Sequence, residues 1–226
     1  MKLVALTGAG ISRESGLKTF RDSDGLWEGY SIEEVCTPMA LARHPERVFD
    51  FYNMRRREVA AAQPNAAHLA LAELESFCEV VLVTQNIDDL HERAGSTNII
   101  HIHGEIFKAR SMDDFDCTVP VTGDFQVGDL APDGCQLRPH ICFFHETPYD
   151  WERVIEEVES ADVFAVIGTS LNVYPAAGLI SMTAAEHLFV VDPQPPRIQG
   201  WPGQLTVISE PATSGVPHMV KLLAGG

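Results

Sequence analysis

Three groups of residues in this chain have the types and spacing that chemistry needs. The stretch NIIHIHGE places His101 and His103 two residues apart in an apolar run that Gly104 ends. Paired imidazoles of this kind suit metal ligation, core packing or general-base work, and both rings face one way if a strand continues through them. For His101 a buried, hydrogen-bonded structural role is expected. The second group begins with LTGAGIS, where Gly8 and Gly10 follow a strand-like run and Ser12, Glu14 and Ser15 open a helix. Amides at such a turn, with a helix dipole behind them, hold a pyrophosphate, and the glycines let it come close. Arg13 stands where G-x-G-x-x-G requires its third glycine, so the usual dinucleotide fingerprint is not met and a plain tight turn is the alternative. Gly168, Thr169 and Ser170 end another apolar run, and Asp192 ends LFVVD, where a carboxylate accepts hydrogen bonds from ribose hydroxyls. In the third group Tyr52 and Arg55 lie three apart on an expected helix and share a face. A guanidinium there grips a carboxylate bidentately while a phenol adds a third bond. The neighbouring Arg56 and Arg57 read as a solvated face.

Short, nearly continuous apolar runs must carry these groups: LVAL at Leu3, VVLV at Val80, IIHI at Ile99, VFAVIG at Val163, LFVV at Leu188 and LTVI at Leu205. Such runs suit strands buried on both faces, hence an α/β fold with a doubly wound parallel sheet and helices on both faces. Helical periodicity covers Pro45–Ala62, Ala66–Phe77, Asp150–Ser160, Pro175–Glu186 and Gly215–Leu223. Two excursions lack a strong buried strand. They give a smaller inserted domain, 29–62 and 105–139, within a larger one of 1–28, 63–104 and 140–226. The second excursion, rich in Asp, Gly and Pro, reads as short strands and loops.

A formal charge of −16 over 226 residues argues against binding nucleic acid or anionic membrane, because polyanions are repelled. No apolar run approaches the roughly 20 residues of a membrane span, and Met1 leads directly into a strand, so a cytoplasmic protein is expected. Five scattered cysteines form no C-x-x-C pair and read as reduced and structural.

The segments TGAGIS, GLKTFRD, PNAAHLAL, TQNIDDLHERAG, HIHGEIFKAR, LRPHICFF, IGTSLNVYPAAGL and PATSGVP occur in an order that resembles the sirtuins, the NAD-dependent protein lysine deacylases. The resemblance implies a Rossmann-like large domain, a small inserted one, and an NAD site between them. It assigns Gly8, Ala9, Gly10, Ile11 and Ser12 to the pyrophosphate, Phe20 and Arg21 to the nicotinamide ribose, and Gln85, Asn86, Ile87 and Asp88 to the nicotinamide pocket. Gly168, Thr169, Ser170, Asp192 and Ala212 would surround the adenosine half. His103 and Asn86 become the catalytic residues, with His103 the base. Gly104 is expected to leave room for ribose and acyl-lysine. In the implied reaction the acyl oxygen displaces nicotinamide, giving an alkylimidate that the ribose 2′-hydroxyl attacks, and the products are lysine, nicotinamide and O-acyl-ADP-ribose. Phe144, His145 and Glu146 would pair their backbone with the substrate, an acylated protein lysine. Tyr52 and Arg55 match the Tyr-x-x-Arg pair of the bacterial desuccinylase and demalonylase branch, with deacetylation as a lesser activity. A monomer is the expected state.

The chain departs from that pattern in three places. The four positions where the family carries zinc cysteines fall on Ser111, Asp114, Leu130 and Asp133, so no metal is expected. Apolar contacts from Phe107, Phe115, Val119, Val121 and Phe125 would replace it. His145 stands where glycine is usual, and Asp192 where asparagine is. Two other readings stay open: an NAD glycohydrolase or mono-ADP-ribosyltransferase, and a non-catalytic module binding NAD or ADP-ribose.

Overall fold

The computed structural model describes residues 1–18 and 29–225. In chain order the strands are β1 (Lys2–Thr7), β2 (Glu79–Thr84), β3 (Ile99–His101), β4 (Gly104–Ser111), β5 (Thr118–Pro120), β6 (Leu137–Ile141), β7 (Val163–Ile167), β8 (His187–Val191) and β9 (Gln204–Ile208). Each of the six apolar runs read from the sequence becomes a strand of one parallel sheet, ordered β3-β2-β1-β7-β8-β9. This is the Rossmann-type order, and it reverses direction between β1 and β7, where open α/β sheets bind their ligands. The register makes that point a shared edge: Thr7 pairs with Thr84 on one side and Ile167 on the other. Gly8, Gln85 and Gly168 therefore leave the sheet side by side.

The helices are α1 (Ile32–Val35), α2 (Pro38–Arg43), α3 (Pro45–Ala61), α4 (Ala66–Leu74), α5 (Leu90–Ala94), α6 (Trp151–Glu159) and α7 (Ala212–Ala224). Alternate strand residues enter opposite cores. Leu3, Ala5, Leu82 and Ala165 pack under Leu71 and Leu74 of α4 and Val216 and Met219 of α7. Val4, Leu6, Val83 and Val166 pack under Val154 and Val158 of α6. Each fully buried Leu, Val or Phe contributes about 1.5–3 kcal/mol of burial free energy. The expected helix over Pro175–Glu186 is instead a 3-10 segment, Ala176–Ser181. The helix expected to open at Ser12 is replaced by two 3-10 turns, Ala9–Ile11 and Arg13–Ser15, so no α-helix dipole stands behind the first glycine loop.

The strands β5-β4-β6 form a separate antiparallel sheet, packed with α3 around Phe49, Tyr52, Ile106, Phe125 and Phe143. Two readings of this region need correction. Arg56 is not solvated: it is 1% exposed, donates to Ile106 O at 2.9 Å and Asn53 Oδ1 at 2.7 Å, and lies over the Phe125 ring. Its fork gives α3 a polar tie to β4. Phe115, expected in this core, is 46% exposed; Phe107, Val119 and Val121 pack against the core and Phe125 lies within it. At the positions aligned with zinc cysteines, Ser111 Oγ accepts from the Asp113 and Asp114 amides at 3.0 and 3.3 Å. A Ser111 side-chain hydrogen bond also lowers the Asp133 pKa. Leu130 projects outward, 61% exposed. All five cysteines are free thiols. No helix among the described residues is long and apolar enough to cross a membrane.

Candidate active site

A cleft of about 750 Å³ opens over the shared edge of β1, β2 and β7. It is lined by Gly8, Ala9, Gly10 and Ser12 from the first loop, Gln85, Asn86, Ile87 and Asp88 after β2, and His103 after β3. Gly168, Thr169, Ser170, Asp192 and Ala212 line its other end, and Arg55, Phe144, His145 and Glu146 its outer wall.

The two glycine loops touch backbone to backbone. A Cβ on Gly8 would sit 2.7 Å from Thr169 Cβ, and one on Gly10 would sit 2.7 Å from Gly168 Cα. Gly168 itself has φ +63°, and its Cβ would meet Ile11 N at 2.4 Å. Close packing thus demands these glycines before any ligand does. The Gly8 and Gly10 amides donate to Ile167 O and Gly168 O, and those of Ile11 and Ser12 to Gly8 O and Ala9 O. The loop is therefore a preformed surface and not a row of four free donors. Ile11 does not line the cleft; its side chain is buried in the core beneath it.

Under the loop, Ser12 Oγ donates to Asp88 Oδ2 at 3.0 Å and accepts from Asn86 Nδ2 at 3.3 Å. Asn86 Nδ2 also donates to Gly8 O at 3.2 Å. His68 Nδ1 accepts from the Asn65 amide, so its proton resides on Nε2, 3.5 Å from Ser12 Oγ. Burial drives the His68 pKa to about 4, so the ring is neutral. The same burial raises the Asp88 carboxyl against hydrogen bonds from Leu90 and Ser12 that lower it. Asn65 caps α4 while its Nδ2 donates to Ile11 O at 2.8 Å, joining that helix to the loop. This lattice holds Asn86 and Asp88 still. His68 was within reach of the sequence reading only as a letter in PNAAHLAL.

The two histidines part company. β3 ends at His101, so the rings do not share a strand face. His103 Nδ1 lies 3.0 Å from Gln85 O, and His101 Nδ1 lies 3.2 Å from Asn86 O. A carbonyl only accepts, so both Nδ1 atoms carry hydrogen. His101 Nε2 meets Glu92 Oε1 at 2.6 Å; burial opposes its charge, but the Glu92 hydrogen bond and charge prevail and its pKa is raised. Glu92, His101 and Glu105 bring ligand-type atoms within 4.8 Å of one another, with Lys108 on Glu105 at 2.6 Å. His101 is thus structural, as expected. Burial lowers the His103 pKa, against the hydrogen bond to Gln85 O. A neutral ring protonated at Nδ1 leaves the Nε2 lone pair as a base.

The outer wall corrects two assignments, those of Tyr52 and Gly104. Tyr52 is fully buried; its hydroxyl donates to Cys36 Sγ at 3.2 Å and its ring stacks on Phe143, so it does not line the cleft beside Arg55. Tyr52 and Arg55 share a helix face, but α3 is buried around much of its girth and the shorter reach of Tyr52 ends in the core. Glu146 accepts from Arg138 Nη1 and Nη2 at 2.7 and 3.0 Å and from the Phe143 amide at 2.7 Å, so it shapes the wall. Gly104 has φ +85°, and its Cβ would lie 2.1 Å from His140 O, so sheet packing and not ligand clearance demands glycine there. His145 adopts φ +74°, the left-handed region where glycine is preferred. Arg55 donates to Glu58 Oε2 at 2.6 Å. Phe20 and Arg21 lie outside the described residues. Cleft residues that the sequence reading missed include Cys36, Cys142, Tyr174 and Gln194. Only the prolines around Gln194 and the PAAG segment after Tyr174 signalled that loops meet there.

Residues 8–175 match the family model described as "Sir2 family". A protein of Aggregatibacter actinomycetemcomitans named NAD-dependent protein deacylase is 52% identical over 203 residues, 88% of this chain and 98% of that protein. One of the same name from Helicobacter pylori is 46% identical, covering 98% of this chain and 96% of its own. Among solved structures, a Sir2 homologue–NAD complex superposes with TM-score 0.85 at 38% identity, covering 99% of this chain and 90% of that one. A Sir2 homologue mutant bound to ADP-ribose gives TM-score 0.88 at 38% identity, with 99% and 92% covered. The fold, the preformed cleft and these likenesses agree: the chain belongs to the Sir2 family.

Proposed function

We propose that this protein removes acyl groups from protein lysines at the expense of NAD, with residues 29–62 and 105–139 forming the smaller lobe over the cleft. The observation that carries the reading is the pairing of His103 Nδ1 with Gln85 O beside a lattice-held Asn86 and Asp88 at the sheet's crossover point.

The residues fit the cofactor. Among the described residues Gln85 Nε2, beside the cleft, has no hydrogen-bond partner, a donor suited to a ribose or carboxamide oxygen. Asp192, buried at the far end and holding the Gln194 amide at 2.8 Å, is a ribose acceptor. When bound, NAD supplies an activated sugar carbon and a leaving nicotinamide. His103 then takes the proton of a ribose hydroxyl on Nε2, while Gln85 O keeps Nδ1–H in place and stabilises the positive ring. Asn86 directs its amide group along the cleft floor, and Asp88 with Ser12 fixes the loop that carries both. A positioned base of this kind contributes about 10²- to 10⁴-fold.

For the acyl group, Arg55 supports a preference for acidic chains such as succinyl and malonyl. Its guanidinium lines the cleft and already holds one carboxylate, that of Glu58. An acyl carboxylate would exchange with Glu58 for that charge-assisted bond. Tyr52 supports the wall through Cys36 and Phe143. The test is incubation of the purified protein with NAD and matched succinyl-, malonyl- and acetyl-lysine peptides, with products read by mass spectrometry. Deacylated lysine with O-acyl-ADP-ribose, fastest for the acidic groups, is expected. Nicotinamide without deacylated peptide would replace this reading with glycohydrolase chemistry, and equal rates for all acyl groups would remove Arg55 from it.

A further inference from the structure

Three arginines follow one another on α3 and meet different partners. Arg56 is taken up by uncharged acceptors, the Ile106 carbonyl and the Asn53 amide oxygen. Arg57 lies on the outside against Asp124, both side chains more than half exposed. Of the three only Arg55 lines the cleft, and its Nη1 donates to Glu58 Oε2 at 2.6 Å.

The two members of that pair are unequal. The Arg55 side chain is 6% exposed and that of Glu58 38%. Val59 shares the cleft lining with Arg55 and belongs to the apolar core, as do Ile141 and Phe143 of the same lining. A guanidinium buried at such a wall without a counter-ion is costly, whereas a carboxylate that already lies partly in water returns to it at little cost. Glu58 is not part of the cleft lining; it reaches Arg55 along the helix surface, three residues on. One partner is therefore fixed and the other can leave.

This asymmetry bears differently on different acyl groups. A short uncharged acyl group leaves the ion pair closed and meets an electrically neutral wall. An acyl chain that ends in a carboxylate must displace Glu58 Oε2 from Arg55 Nη1, and part of what it gains from the guanidinium is offset by that exchange. Glu58 thus lets one pocket accept both kinds of chain while holding back its selectivity for the acidic kind.

We propose that Glu58 is a positioning residue that sets the acyl preference by competing, through Arg55, with the carboxylate of the incoming acyl group. The inference rests on the acyl reading given above, in which Arg55 receives that carboxylate.

Steady-state deacylation of matched succinyl- and acetyl-lysine peptides by the whole chain at saturating NAD tests it, with Glu58→Gln, Arg55→Met and the double variant. Glu58→Gln keeps the size of the side chain and removes its charge. It should lower the succinyl KM about two- to fivefold, the worth of a partly exposed ion pair, and raise the succinyl-to-acetyl ratio of kcat/KM by the same factor. In the Arg55→Met background the same substitution should no longer move that ratio, because its effect passes through the guanidinium. An unchanged or higher succinyl KM in Glu58→Gln, or an equal shift of the ratio in the Arg55→Met background, would overturn the proposal while leaving the acyl reading intact, provided Arg55→Met alone lowers the ratio. If Arg55→Met leaves the ratio where it was, the acyl reading falls and this proposal with it.

Discussion

Gly104→Ala should be far more damaging than its size suggests. Gly104 follows the base directly, opens β4 and pairs with Ile141 of β6 at φ +85°. A non-glycine residue in that region costs about 1–2 kcal/mol of backbone strain. The new methyl would also lie 2.1 Å from His140 O, 2.9 Å from His140 C and 3.0 Å from Ile141 Cα. These are all backbone atoms, so no rotamer change relieves the contact and the two strands must part. The Cys142 amide bond to His103 O, 3.0 Å long, breaks with them, a further loss of about 1 kcal/mol. With the residual clash the total is about 3–5 kcal/mol, near the upper end for single substitutions. Thermal unfolding should register a fall of roughly 6–20 °C for a chain of this size. Gly128→Ala is the matched control: φ is +101° but nothing lies within 4 Å of its Cβ, so only strain of about 1–2 kcal/mol is expected. Equal destabilisation of the two variants would refute the argument that strand contact, and not conformation alone, fixes Gly104.

Other consequences follow from named contacts. Arg55→Met should lower desuccinylation far more than deacetylation, by about tenfold or more for a lost charge-assisted bond; equal losses in steady-state assays would contradict it. Burial depresses the His103 pKa, so the base stays unprotonated to below its ordinary 6.5, and kcat/KM should hold level as pH falls from 8 to 6.5 and decline only lower. An acid limb centred above 6.5 would disagree. Stability should follow the buried rings: His68 and His140, lowered to about 4, contribute fully above pH 6.5 and lose that contribution as pH falls toward 4. Each is worth up to about 3 kcal/mol by linkage. His101, with its raised pKa, works the other way, its contribution present below 6.5 and lost as pH rises through its folded value. Urea unfolding at pH 7 and 4.5 should show the more acidic sample clearly weaker, and equal midpoints would oppose this. Finally, we propose that the Ser111 bonds to the Asp113 and Asp114 amides, with the apolar packing of Phe107, Val119, Val121 and Phe125, hold the small sheet without metal, so purified protein should carry no stoichiometric zinc by elemental analysis and chelators should leave its melting unchanged.

Much of the fold could be read because burial on both faces leaves an unmistakable trace: LVAL, VVLV and VFAVIG are apolar without alternation, and each became a central parallel strand. Single-turn helices such as α1 and α5 leave no periodic trace. In the site, glycines and hydroxyls after strands marked the cleft correctly, because register brings those loop starts together. Depth was not legible. Spacing puts Tyr52 and Arg55 on one face, but packing against Cys36 and Phe143 decides that the phenol stops in the core. Arg56 was misjudged for the same reason: a basic run says nothing of the carbonyls of Ile106 and Gly123 that await one guanidinium. The Ser12–Asp88–His68 lattice joins residues more than fifty positions apart.

The most direct test of the account is His103→Ala, followed by mass spectrometry of a reaction with NAD and succinyl-lysine peptide, alongside a titration of ADP-ribose binding. The base assigned here predicts unchanged ADP-ribose affinity and a fall of about 10²- to 10⁴-fold in both deacylated peptide and O-acyl-ADP-ribose. Deacylation within a few-fold of the unaltered protein would contradict it.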